Sequence, residues 1–384
     1  MLAVEGTSGG DASIVELLDV CFAQDHLTMK ILITGGAGFV GSNLAISFKE
    51  AEPSATVVAL DNLKRRGSEL NLSKFKRHGI RFVHGDIRNH TDLEDLADTF
   101  DLLIEASAEP SVLAGINGSP HYVLQTNLTG TLNCLEFART SAGALIFLST
   151  SRVYSLAPLR EIRLNETASR FEIAETQEVA GISRAGISEN FPTHLARSLY
   201  GATKLASEMI IQEYVHSYGL RAVINRCGVI AGPGQFGKVD QGVFTLWVAN
   251  HFFGRPLKYT GFGGDGKQVR DLLHPADLYA LIRKQLSAID GCAGEVFNIG
   301  GGHSVSTSLC ELTALCREVV GRSIPIQREP ETSAVDIPLY ITDYGKAARR
   351  FGWRPQCAVR DIVEGITRWI RENEDQLKTV FASE

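Results

Sequence analysis

No CxxC pair occurs in this sequence, and its seven cysteines (Cys21, Cys134, Cys227, Cys292, Cys310, Cys316, Cys357) are scattered and odd in number. That pattern argues against a disulfide framework or a zinc site, so no metal is expected, and it favours a reducing, cytoplasmic setting. An excess of positive charge is also missing. Against 38 Lys and Arg stand 44 Asp and Glu, for a formal net charge of -6. Neither nucleic acid nor an anionic membrane is drawn by such a balance, and the short basic run Lys64-Arg65-Arg66 reads as a solvated loop. Long apolar runs are absent too; none reaches the roughly 18 residues that a membrane span needs. Residues 1–28 have no Lys or Arg and carry five acids, unlike a secretory signal. They are expected to form a loose N-terminal extension outside the fold.

What is present is the ordinary material of a soluble protein: 384 residues, 44% hydrophobic and 21% charged. That length is enough for one large domain or two ordinary ones with ample core. From Met29 onward, short apolar runs alternate with stretches of helical period. The spacing predicts strands over 29–34, 56–61, 81–84, 101–107, 144–149 and 221–227, with helices over 41–50, 91–99, 121–140 and 199–217. Near-continuous apolar strands between helices imply an α/β, doubly wound parallel Rossmann sheet. Beyond about residue 231 Gly and Pro punctuate the chain. A helix is expected over 276–288, a strand over 295–302, and helices near 306–320 and 359–376. Residues 29–230 are thus expected to form a dinucleotide domain, interleaved with a smaller C-terminal lobe, 231–384, laid over the carboxyl edge of the sheet.

TGGAGFVG, residues 34–41, joins the first strand to the first helix. Gly35, Gly38 and Gly41 permit a tight turn and let a pyrophosphate approach the helix N-terminus. Asp61 ends the second strand 20 residues later, where an acid accepts ribose hydroxyls and repels a 2′-phosphate. The expected cofactor is therefore NAD; the alternative is that Asp61 merely caps a turn in Asp-Asn-Leu. Asp86 and Ile87 end the third strand, where they bracket an adenine, unless Asp86 serves as a helix N-cap.

RSLYGATKLASE, residues 197–208, sets Tyr200 one helical turn before Lys204, so the two side chains share a face. LSTSRVYS, residues 148–155, ends a strand with hydroxyls. A hydroxyl, a phenol and an ammonium around NAD make a hydride-transfer site. Free tyrosine titrates near ~10, so a neighbouring cation has work to do if the phenol is to act as a base. Lys204 is the expected cation. Spacing alone does not choose among Ser149, Thr150 and Ser151.

These motifs, with GWRP near the end, resemble the extended short-chain dehydrogenases/reductases, most of which act on nucleotide sugars. The resemblance runs over nearly the whole chain from Met29. It implies Thr150 as the catalytic hydroxyl beside Tyr200 and Lys204. It also implies cofactor contacts from Phe39, Val40, Asn62, Ala106, Ser107, Ala108, Asn127, Tyr200 and Lys204, besides Gly35, Gly38, Asp61, Asp86 and Ile87. Asn127, in NLTGT, is implied to order the surroundings of Lys204. The sugar 4,6-dehydratases of this family carry an Asp-Glu pair directly after the Thr. Here those positions are Ser151 and Arg152, so elimination lacks its acid and base.

DNLKRRGSELNL, FVHGDIRN, LNETASRF, QFGKVDQG and GDGKQVRDLLHPADL are similar to one branch of the family, the CDP-tyvelose (CDP-paratose) 2-epimerases. Departures are IEASA, where Glu105 and Ala108 replace the usual residues, Ala231, and residues 171–196. The resemblance implies an isomerase that inverts C2 of a CDP-hexose through a 2-keto sugar with retained NAD, in cell-surface polysaccharide synthesis. A UDP-hexose 4-epimerase and a non-catalytic NAD-binding regulatory protein are the alternatives. By resemblance Arg270 binds the diphosphate, unless it pairs with Asp271. Gln235, Asp240 and Gln241 lie in a glycine-broken loop that closes on substrate or is simply solvated. His274 reads as structural, and a homodimer or homotetramer is implied.

Overall fold

The computed structural model describes residues 28–116, 118–236 and 242–382. Seven strands, β1 (Lys30–Thr34), β2 (Thr56–Asp61), β3 (Arg81–His84), β4 (Leu102–Glu105), β5 (Leu145–Thr150), β6 (Ala222–Cys227) and β7 (Val296–Ile299), make one sheet. Their spatial order is β3-β2-β1-β4-β5-β6-β7, and every neighbouring pair is parallel. Strand order reverses between β1 and β4, so a crevice opens there at the carboxyl ends of the strands, where open α/β sheets take ligands.

Helices α1 (Phe39–Ala51), α2 (Gly130–Ser141), α3 (Leu199–Tyr218) and α4 (Pro275–Ser287) sandwich the sheet. Because side chains alternate along a strand, Ile31 and Ile33 pack with Phe48 of α1 and Leu281 of α4, while Leu32 faces the other way. On that second face lie Cys134 and Leu135 of α2 and Ile211 of α3. Both faces of the sheet are apolar, which is why its strands read as nearly unbroken hydrophobic runs. Among the described residues no helix is long and apolar enough to cross a membrane.

The chain beyond residue 231 does two things. It returns α4 and β7 to the layers of the large sheet, and it builds a second sheet around Val269–Leu273. That strand runs parallel to Val229–Ile230 and Leu339–Tyr340 and antiparallel to Ser306–Ser308. Helices Val243–Phe253, Leu309–Val320 and Val359–Glu372 form their own apolar cluster beneath it.

Three expected helices differ in extent. The helix expected over 91–99 is only His90–Glu94, because the chain tightens and then takes a positive φ of 48° at Ala97. Residues 306–308 are strand, and the helix begins at Leu309 with Ser308 as its cap and Glu311 closing a capping box. Serine favours that junction because its hydroxyl satisfies an otherwise unpaired amide. The helix expected over 359–376 breaks at Asn373 and resumes as Glu374–Ala382. The predicted helix over 121–140 runs as expected but contains a π turn at Gln125–Thr129, a widening often found at functional sites.

Candidate active site

At the carboxyl end of β1 the chain turns through Gly35, whose φ is +64°. The amide of Gly38 returns to the Gly35 carbonyl at 3.0 Å, and Gly38 caps α1, so Phe39 and Val40 form its first turn. Side chains have no room here. A Cβ at Gly35 would stand 2.8 Å from the backbone of Ala106 and Ser107, and one at Gly41 would stand 2.2 Å from the Gly35 carbonyl. The loop after β1 is thereby pressed against Ala106-Ser107-Ala108, the loop after β4, on the two sides of the crevice. Such a bare backbone at a helix N-terminus is a cradle for an anion, and it fits the pyrophosphate of a dinucleotide. Gly41→Ala is expected to displace the loop and weaken NAD retention at least ten-fold, a loss of about 1.4 kcal/mol. The check is the NAD content of purified protein, read by absorbance after denaturation.

Asp61, at the end of β2, accepts the amide of Ala37 at 3.1 Å and that of Leu63 at 2.7 Å. It caps its own turn and steadies the glycine loop at once, so the two readings of this residue are not exclusive. Burial raises its carboxyl, and the backbone amides work against that rise. Asn62 donates to Asp86 at 2.8 Å. Burial also pushes the Asp86 carboxyl up, but Arg88 and Asn62 outweigh it and bring it down to about 2. Asp86 is not a helix N-cap, because the next helix starts at His90 with Asn89 before it. Ile87 is buried under α2, against Gly130.

The chemical end is built on α3. Ser198 caps this helix by accepting the amide of Gly201 at 3.2 Å. Tyr200 in the first turn and Lys204 one turn later are 9% and 1% exposed, which rules out a solvated helix face. Of the three candidate hydroxyls, Thr150 is the one that acts on the Tyr200 phenol, where it favours the ionised form. Ser149 points under the sheet edge to Glu208. Burial pushes the phenol up to about 12; the Thr150 hydroxyl and the charge of Arg152 oppose it.

Lys204 lies in the layer between α3 and the sheet, where a second charge acts on it. Its ammonium lies 4.2 Å from the centre of the Phe147 ring on β5, facing Glu105 at the end of β4. Glu105 is fully buried and takes the Thr131 hydroxyl at 2.6 Å on one oxygen, while its other oxygen has no partner. Burial raises the Glu105 carboxyl and lowers the Lys204 ammonium, and each opposes that shift in the other. The Lys204 ammonium makes no hydrogen bond among the described residues.

Asn127 sits in the π turn and bridges two elements. It clasps the backbone of Glu109 through both its donor and its acceptor, at 3.0 and 2.7 Å, and reaches Thr203 at 3.3 Å. Its carbonyl accepts the Ser207 hydroxyl at 3.0 Å. Both sides of Lys204 on α3 are thus tied to the loop after β4.

Residues assigned to substrate are placed less openly. Arg270 donates to the carbonyls of Val269 and Ile337, both at 2.8 Å, and to Asp336 at 3.1 Å. Its acidic partner is Asp336 rather than Asp271, which instead accepts the Gly302 amide at 3.0 Å. Gln235 is engaged within its own lobe, donating to Ile230 at 3.0 Å and accepting from Thr245 at 2.7 Å. Asp240 and Gln241 lie outside the described residues. His274 accepts the Ala276 amide at 3.2 Å and caps α4, a structural role. Sequence reasoning passed over Glu105 as a mere departure and used Arg152 only to exclude elimination. Their signal was there, Glu105 as a charge ending an otherwise apolar strand and Arg152 as a charge two residues past another.

The sequence pattern of the NAD dependent epimerase/dehydratase family matches residues 31–300. A CDP-paratose 2-epimerase from Salmonella typhi is 31% identical over 355 residues, covering 89% of this chain and 99% of the relative. A dTDP-glucose 4,6-dehydratase from an Actinoplanes species is 30% identical over 353 residues, covering 90% and 98%. Among solved structures, a dTDP-glucose 4,6-dehydratase from Streptomyces venezuelae with NAD and TYD bound superposes with a TM-score of 0.72. It is 28% identical, over 92% of this chain and 100% of that one.

Proposed function

We propose that this chain, which belongs to the NAD-dependent epimerase/dehydratase family, is a nucleotide-sugar 2-epimerase that converts a CDP-paratose-type substrate to its C2 epimer. The observation that carries the choice of epimerisation over water loss is the turn after Thr150. Ser151 and Arg152 form that turn, and neither is the carboxylic acid that elimination needs as proton donor and base. The preference for C2 and for a cytidine nucleotide draws on the likeness to the Salmonella 2-epimerase.

Bound NAD supplies the acceptor and donor of hydride, and its return to the starting oxidation state leaves no net redox change. The remaining work falls to the protein. The glycine loop and the first amides of α1 would hold the pyrophosphate, Asp61 the adenosine ribose, and Lys204 the nicotinamide end. Thr150 orients the reacting sugar oxygen, and Tyr200 takes and returns its proton. Holding these groups around one reacting oxygen turns a bimolecular proton transfer into an internal one. Arg270 would meet the diphosphate from the second sheet.

The reading is tested by incubating purified protein with CDP-paratose and no added NAD, and following the C2 proton by NMR. Inversion at C2 is expected, since the cofactor is retained. Unchanged CDP-paratose, with UDP-glucose inverted at C4 in a parallel tube, would replace the reading with a 4-epimerase.

A further inference from the structure

Two walls of the NAD site, the first turn of α1 and the loop after β2, are fastened to the same stretch of the C-terminal lobe, residues 232–236. Asn43 of α1 donates to the Phe39 carbonyl at 2.8 Å and to the Pro233 carbonyl at 3.2 Å. Gly234 sits beside them, where a Cβ would stand 3.6 Å from Asn43 Nδ2 and 4.0 Å from the Phe39 ring. Arg65 donates to the Phe236 carbonyl at 3.3 Å. Gly67 lies so close to the Phe236 ring that a Cβ there would stand 2.6 Å from it. Between Asp61 and these contacts Leu63 takes a φ of +54°. A bulky residue resists that backbone, so its surroundings must hold it there.

The stretch is itself firmly placed. The Ala231 amide donates to the Leu273 carbonyl at 3.0 Å, and Gly232 lies against His274 and Pro275 at the start of α4. Gln235 accepts the Thr245 hydroxyl at 2.7 Å. The Phe236 ring meets Trp369 edge to face, with centroids 5.7 Å apart. The chain leaves β6 at Cys227 and reaches the loop after β2, although β5, β4 and β1 lie between those two strands in the sheet. A loop held only by its own lobe opens at little cost, whereas one fastened from a second lobe opens when that contact breaks.

We propose that residues 232–236 form a clasp for the cofactor: the C-terminal lobe pins the first turn of α1 and the loop after β2, and NAD leaves only when this contact between lobes opens. Asn43 and Phe236 are then positioning residues for retention, and neither needs to touch NAD. The inference rests on the retained cofactor of the reading above and assigns the residues that keep it. Retention matters to that chemistry, because a cofactor lost between the two hydride transfers would strand the sugar as its ketone.

The test follows release rather than turnover. Protein loaded with radiolabelled NAD is mixed with a large excess of unlabelled NAD, and the label still bound is counted on filters against time. The double variant Asn43→Ala/Phe236→Ala removes one hydrogen bond and one packed ring, and is expected to release label at least about ten-fold faster than the parent. Phe236→Leu keeps an apolar side chain against Gly67 and is expected to stay within about three-fold of the parent. Leu312→Ala opens a cavity in the apolar cluster of the same lobe. It is expected to lower the urea midpoint without hastening release, which separates a clasp from general weakening. Release from the double variant at the slow rate of the parent, or release hastened as much by Leu312→Ala, overturns the inference alone. A parent that sheds its label as fast as the double variant overturns it together with the retention it rests on. Because no turnover enters the readout, a wrong sugar or a wrong carbon leaves the result standing.

Discussion

Tyr200→Phe is expected to cut turnover by about 10²–10⁴-fold while leaving fold and bound NAD in place, the usual weight of one positioned acid–base group. The change removes a single oxygen from a ring packed in the first turn of α3. The ring stays buried, the Ser198 cap is untouched, and Lys204 keeps its place over Phe147. What is lost is the oxygen that, in the proposed reaction, takes the sugar proton. Circular dichroism and cofactor content should match the parent protein, with the defect in kcat rather than in KM. Retention of full turnover would dismiss Tyr200 as the base.

Stability, by contrast, should be most sensitive just below the pocket. Glu208 of α3 receives Arg226 of β6 through the guanidinium Nε and Nη2, the latter at 2.7 Å, and also the hydroxyl of Ser149. Arg226 further donates to Tyr154 at 3.2 Å, and Tyr154 donates to Asn298 at 2.6 Å. Burial works against the charge of Arg226, but Glu208 more than compensates and raises it. One network thus ties β5, α3, β6 and β7 together under the catalytic cluster. Glu208→Gln leaves a buried guanidinium without its counter-charge and is expected to cost about 3–5 kcal/mol in urea unfolding. The double variant Glu208→Leu/Arg226→Met, which removes both charges, is expected to lose less than the single one. A single variant as stable as the parent would show that the pair contributes nothing net.

The sequence announced the large sheet because parallel strands buried on both faces leave a one-dimensional trace, apolar runs bounded by helices. Gly35, Gly38 and Asp61 were legible for a similar reason, since a turn–helix junction at a fixed distance from an acid is local in the chain. The second sheet was not legible. Val229–Ile230 and Leu339–Tyr340 are two residues each and exist only through pairing with Val269–Leu273. At the site, the shared helix face of Tyr200 and Lys204 was legible, yet the counter-charge of Lys204 was not. That depends on Glu105, brought to it by the neighbouring strand from 99 positions earlier in the chain, and sequence spacing carries no record of such a meeting. Arg270 tells the same story, since its partner Asp336 is remote while adjacent Asp271 is not used.

Strand β7 has a further consequence, which concerns how the protein is made. It pairs with β6, whose Ile224 lies beside Val296, and α4 packs on the same sheet as α1. A ribosome delivers β6 well before either element. Until β7 emerges, Ala222–Cys227 forms the open margin of a hydrophobic sheet, with unpaired amides and carbonyls along it. The nascent chain therefore passes through a stage in which another strand, from a second chain or a chaperone client neighbour, competes for the place that Val296–Ile299 will take.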